Sequence, residues 1–100
     1  MNTQKISLKS QVVQNEGNIV SDMDGEKVML NVQNGKYYNL GDIGGVIWTL
    51  IEQPIIISDL VIELRSEYEI NQKVCEEHIV FFLELLLTEN LIHIEEESNS

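Results

Sequence analysis

One hundred residues suffice for one small domain with a single core and leave no room for a separate nucleotide or substrate domain. Hydrophobic residues are 43% of the chain and recur in regular patterns, which argues against a disordered acidic chain. Seventeen acidic against six basic residues give a formal net charge of −11, so no nucleic acid and no membrane surface is expected as a partner, and a charged partner should be basic.

No apolar run at the N-terminus reads as a signal peptide, and no window approaches the roughly 18 consecutive apolar residues of a membrane span. The single cysteine, Cys75, excludes an internal disulfide framework, and the expected location is the cytoplasm. Residues 1–9 are polar and uncapped and read as a mobile tail, ahead of a domain at 10–94 and an acidic tail at 95–100.

Gln11-Val12-Val13-Gln14 reads as a short strand, stopped by the turn cluster Asn15-Glu16-Gly17-Asn18. Ile19-Val20 offers a second apolar pair before the hairpin dipeptide Asp24-Gly25, and which of the two segments pairs with the next strand is open. Residues 26–32 alternate Val28, Leu30 and Val32 on one face, and Asn34-Gly35 is a strong hairpin signal. A two-residue turn sets Val32 against Tyr37 and Leu30 against Asn39, with Asn31 and Met29 opposite Tyr38 and Leu40; a one-residue bulge swaps the faces. Either way Gly35-Lys36-Tyr37-Tyr38-Asn39-Leu40 leaves the turn as a strand with a tyrosine on each side and runs directly into a helix. If it is the last strand of its sheet, its free edge is a template on which an extended peptide can pair. The outward tyrosine then walls a peptide groove; ordinary β-propensity with half-burial explains both rings equally well.

Three helices fill the rest. Asp42 is placed to cap the first, in which Ile43, Val46, Ile47, Leu50 and Ile51 form one stripe and Trp48, at its margin, seals the helix against the sheet. Gly44-Gly45 costs about 1 kcal/mol each relative to Ala, so something packs closely there, most simply the preceding strand. Pro54 ends the segment. The second helix sets Ile57, Leu60, Val61, Leu64 and Tyr68 against Asp59, Glu63 and Glu67. Asn71 is the expected N-cap of a third helix running to about Glu89, with Asn90 in the left-handed position after it and Leu91-Ile92-His93-Ile94 as a short, wing-like strand.

The third helix is more apolar than one packing face requires. At about 100° per residue, Cys75, Ile79, Phe82 and Leu86 line one stripe and Val74, His78, Phe81 and Leu85 a second. One stripe suffices for the core; the other is either covered by the N-terminal segment or exposed as a contact surface beside the strand edge. A catalytic reading finds little support. Cys75 lies near a helix N-terminus, but His78 is one turn along the same helix, His93 is remote, and no Asp or Asn is spaced to complete a triad. Two histidines and one cysteine without close pairing make a poor metal set, and no phosphate-binding glycine loop is present, so no catalytic residue, metal or cofactor is expected.

The run 35–40, then Ile47-Trp48-Thr49-Leu50, Leu60 to Tyr68, His78-Ile79-Val80-Phe81-Phe82-Leu83 with Leu86, and Asn90-Leu91-Ile92 together resemble the PqqD family, over about residues 26–94. Within it the chain is most similar to the stand-alone leader-binding subunits of lasso peptide clusters, whose domain is called a RiPP recognition element. The resemblance implies an α+β fold, a winged helix-turn-helix with a three-stranded antiparallel N-terminal sheet followed by three helices. It implies a non-catalytic adaptor that takes a precursor's leader peptide as an added strand along Lys36, Tyr37, Tyr38, Asn39 and Leu40, in a cleft against Val74, Cys75, His78, Phe81, Phe82 and Leu85. The partners implied are the leader peptide, a cysteine leader peptidase and a macrolactam synthetase. Four positions depart from the family's pattern: Gly41 stands where Asn is frequent, Ile56 where a Thr cap is, Asn90 where Gly is, and His78 at a usually acidic site. Other contexts fit the same residues: a chaperone for a radical enzyme's peptide, a scaffolding subunit that reads no leader, and a DNA-binding winged helix, which the charge opposes.

Overall fold

A computed structural model describes residues 6–95. Strands β1 (Gln11–Gln14), β2 (Asn18–Met23), β3 (Glu26–Asn31) and β4 (Tyr37–Leu40) precede helix α1 (Gly41–Leu50); β5 (Ile55–Ile56), α2 (Ile57–Glu67), α3 (Gln72–Thr88) and β6 (Ile92–Ile94) complete the chain order. One antiparallel sheet has the order β2-β3-β4 and a second the order β5-β1-β6. The expected α+β class, a three-stranded antiparallel sheet followed by three helices, is present. The pairing left open by the sequence is settled by register: Ile19 lies opposite Leu30, so β2 joins β3, whereas Val12 lies between Ile55 and Ile94 in the other sheet. The residues read as a wing form β6, which closes that second sheet.

The β3–β4 hairpin departs from the expected register. Leu30 faces Tyr37, Met29 faces Tyr38 and Val28 faces Asn39, two residues from the pairing that a two-residue turn produces. The Asn31 side chain is the cause. Its Oδ1 accepts the backbone N–H groups of Gln33 and Asn34 at 3.1 and 2.9 Å, and its Nδ2 donates to Asn18 Oδ1 at 2.7 Å, so residues 32–35 all belong to the loop. A slip of two leaves every side chain on its own face. The core-facing side is nonetheless the one the alternation did not mark: Met29 and Asn31 are buried, Val28 and Leu30 are half-buried on the outer face, and Val32 is exposed.

All three helices bury one stripe. Ile47, Trp48 and Ile51 of the α1 segment, Ile57, Leu60, Val61 and Leu64 of α2, and Cys75, Ile79, Leu83 and Leu86 of α3 meet Val12, Met29, Leu91 and Ile92 in one core. On α3, Leu83 takes the buried place expected of Phe82, which is only half-buried. Asn71 caps α3 through Oδ1 to the N–H groups of Lys73 and Val74. At the other end Asn90 has φ +64°, and the N–H groups of Asn90 and Leu91 return to the carbonyls of Leu87 and Leu86, the paired bonds of a Schellman end. Asp42 is not a cap: Leu40 is the N-cap residue and makes no side-chain cap bond, while Asn39 Oδ1 accepts the Gly41 N–H at 3.0 Å. Gly41 has φ +72°, which turns the chain from β4 into α1 and explains why a residue tolerant of left-handed backbone stands there.

The two helical glycines are close-approach points. A Cβ on Gly45 would lie 2.5 Å from Lys27 Cγ on β3, and one on Gly44 would lie 3.1 Å from the Phe82 ring. The close partner is therefore not chiefly the preceding strand β4, as expected, but β3 for Gly45 and α3 for Gly44, because the helix crosses both.

Residues 6–15 tie the helices together. The Leu8 and Ser10 carbonyls accept the N–H groups of Ser58 and Ile57, both at 2.9 Å, which replaces the side-chain cap that Ile56 lacks at the start of α2. Gln14 donates from Nε2 to Trp48 O at 2.7 Å and from its N–H to Ile51 O at 3.0 Å, and the Asn15 N–H donates to Leu91 O at 2.9 Å. Of the tail expected at 1–9, residues 1–5 lie outside the described residues; Ile6 and Leu8 pack against the core. Residues 96–100 of the acidic tail also lie outside them.

Candidate functional site

β4 pairs with β3 on one side only, and among the described residues its other side has no partner. The Asn31 N–H donates to Lys36 O at 3.0 Å. Because bonded and non-bonded pairs alternate along an antiparallel ladder, Met29 and Tyr38 form the next bonded pair, and the N–H and C=O groups of Tyr37 and Asn39 point away from β3. β1, the strand that could have covered this border, lies in the other sheet. Among the described residues β2 also has a free side, but no apolar helix stripe or cavity is described beside it, and the exposed Asp22 puts a charge on that edge, which discourages pairing.

Beside the β4 edge stands the second stripe of α3. Val74 (42%), Phe81 (64%) and Leu85 (51%) are largely exposed, as is His78. Residues 6–8 lie along another flank of that helix, where Ile6 and Leu8 line a shallow pocket with Glu76, Val80, Glu84 and, from this stripe, Phe81. Among the described residues, the second stripe therefore stays uncovered along most of its length.

A cavity of about 310 Å³ opens where the end of β4 meets the helices. Leu40, Ile43 and Gly44 form one wall and His78, Phe81 and Phe82 another, with Ile47, Leu64, Ile70, Cys75 and Ile79 as its floor and sides. Gly44 makes room for the Phe82 ring in this wall, since a Cβ there would lie 3.1 Å from it.

At the hairpin end, polar groups join the strand to the helix. Tyr38 donates from its hydroxyl to Glu89 Oε1 at 2.9 Å, Lys36 Nζ lies 3.5 Å from the same oxygen, and Asn34 Nδ2 donates to the Tyr38 hydroxyl at 3.3 Å. The two tyrosines divide as expected: Tyr37 is 72% exposed on the outer face, and Tyr38 is half-buried on the inner one.

The residues named from the sequence thus occupy three settings. Tyr37, Tyr38 and Asn39 are on the free strand, with Lys36 just ahead of it rather than in it; Val74, His78, Phe81 and Leu85 are on the open stripe; Leu40, Cys75 and Phe82 are cavity wall. Leu40 and Cys75 are 8% and 1% exposed, so they can meet a ligand only through the cavity. Its Ile43, Gly44, Ile47, Leu64, Ile70 and Ile79 lining was not anticipated, because nothing in the apolar pattern distinguishes a core position from a cavity wall. Burial pushes the Cys75 thiol above its ordinary range, the opposite of what a nucleophile requires. Among the described residues no cluster of His, Cys, Asp or Glu could hold a metal ion, and no helix is long and apolar enough to cross a membrane.

The family model described as coenzyme PQQ synthesis protein D (PqqD) matches residues 26–92. Among solved structures, TbiB1 in complex with the TbiA(beta) leader peptide superposes with a TM-score of 0.72 at 25% identity, covering 87% of this chain and 99% of that one. A lasso peptide synthetase B1 complexed with the leader peptide also gives a TM-score of 0.72, at 22% identity, covering 82% and 96%. The second likeness is one of fold. No curated protein sequence is significantly similar.

Proposed function

This chain belongs to the PqqD family, and from that membership and its free strand edge we propose that it is a non-catalytic adaptor binding the leader peptide of a ribosomally made precursor. The leader adds as a strand to Tyr37–Leu40, its backbone bonding to the outward N–H and C=O groups of Tyr37 and Asn39. Alternate side chains face inward, against Val74, His78, Phe81 and Leu85, and one of them enters the cavity beside Leu40. The observation that carries this reading is the position of β1: the N-terminal strand is committed to the second sheet and leaves the β4 border open. The solved relative that binds a leader, TbiB1, supports a leader as the guest. In a lasso peptide cluster the adaptor delivers that leader to a cysteine peptidase and a macrolactam synthetase.

Titrating a fluorescent leader, taken from a short precursor encoded beside this gene, tests the proposal. Affinity near or below micromolar is expected, and a proline in the pairing segment should abolish it, since proline lacks the N–H that the ladder requires. Binding undiminished by proline at every position of that segment refutes strand addition and favours a scaffolding subunit.

A further inference from the structure

Glu89 is an odd residue for its place. It is the C-cap of α3, where the aligned peptide dipoles already put partial negative charge, and the last turn of that helix contains no base. A carboxylate there disfavours the helix, and glutamine would keep the bond from Tyr38 without the penalty. Its orientation is set nonetheless. Tyr38 and Lys36 both approach Oε1, and among the described residues Oε2 accepts no hydrogen bond. The side chain is 38% exposed and the Lys36 side chain 61%, so this ion pair is open to water and to exchange.

Its position matters as much. Glu89 lies four residues beyond Leu85 and so continues the open stripe by one turn, at the end of the groove opposite the Leu40 cavity. From Phe81 at the cavity mouth to Glu89 the helix advances about 12 Å at 1.5 Å per residue. An extended guest rising about 3.3 Å per residue covers that in roughly four residues, and only side chains an even number apart share a face.

We infer that Glu89 is a cation-accepting subsite at the hairpin end of the groove, taking a lysine or arginine of the guest peptide two or four residues from the apolar side chain that enters the cavity. Oε2 accepts the guest's N–H donor, Tyr38 is the positioning residue that aims the carboxylate, and Lys36 is the resident cation that the guest joins or displaces. The inference rests on the strand-addition reading. A cation is favoured over a neutral donor because the helix end and the carboxylate add negative potential at one point, on a chain of formal charge −11.

The test uses fluorescent leader peptides, the natural sequence and variants with each lysine or arginine replaced singly by glutamine, titrated against the natural protein and Glu89→Gln. One peptide position should cost roughly threefold to tenfold in Kd on the natural protein and nothing on Glu89→Gln, a coupling that shrinks as salt rises. A merely structural Glu89 would move the melting temperature and leave that coupling at zero. Glu89→Gln binding every peptide as the natural protein does, while proline still abolishes binding, overturns the subsite and leaves strand addition standing. If the natural protein binds no leader, both fall.

Discussion

Truncating Phe81 separates recognition from folding. Phe81 is 64% exposed, so the fold covers about a third of an aromatic surface of roughly 200 Å². At about 25 cal/mol per Å² that third contributes about 1.8 kcal/mol, and the better helix propensity of alanine returns about 0.5 kcal/mol. Phe81→Ala should therefore lower stability by about 1 to 1.5 kcal/mol, a loss the domain can survive. A guest strand covering half to all of the remaining surface, about 65 to 130 Å², gains about 1.6 to 3.2 kcal/mol from this ring, or about 15-fold to 200-fold in Kd. Phe82→Ala is the control. That ring is half-buried against Gly44, and its removal should cost about 3 kcal/mol of stability. Denaturation followed through Trp48, the chain's single and buried tryptophan, measures stability, and anisotropy of a labelled leader measures affinity. A Phe81→Ala protein that loses 3 kcal/mol or more of stability, or binds leader as tightly as before, refutes the assignment of the open stripe to the guest.

Two other outcomes follow from the same geometry. Gly44→Ala places a methyl group 3.1 Å from the Phe82 ring; stability should change by only about 1 kcal/mol, because alanine's propensity offsets the crowding, while leader affinity falls as the cavity shrinks. Unchanged affinity in that variant shows that the guest does not enter the cavity. The buried Cys75 thiol, its pKa raised by desolvation, predicts a pH effect of definite sign. The folded chain keeps the proton where the unfolded chain loses it, so the thiol's contribution is complete below about pH 8.5 and is lost as pH climbs toward the folded value. Stability of the natural protein should fall more steeply between pH 8 and 10 than that of Cys75→Val, and parallel slopes contradict it.

Much of this molecule was legible because its signals are local. The period of apolar residues located all three helices, Asn71 and Asn90 announced the ends of α3 by their own side-chain and backbone preferences, and Asn34-Gly35 announced a hairpin. The same local reading, which expected a strand at 36–40, found β4 at Tyr37–Leu40 and the two stripes of α3, since both depend only on the repeat of strand and helix. It failed wherever one residue answered to a distant one. Asn31 folds its side chain over the loop and moves the hairpin register by two. Leu8, Ser10 and Gln14 satisfy helix ends from far along the chain, partly with backbone carbonyls and N–H groups that carry no sequence signature. Burial of Leu83 in place of Phe82 was decided by which neighbours closed over α3.

The sequence by itself determined that a strand with one tyrosine per side runs into a helix and that a later helix carries surplus apolar surface. Only the tertiary structure decided that the strand is a border, because an edge is defined by what fails to pair with it, and that depended on β1 crossing to the other sheet. It likewise decided that Glu89 meets Tyr38 and Lys36: residues 51 and 53 positions apart share one carboxylate oxygen only once the hairpin and the end of α3 have been packed together.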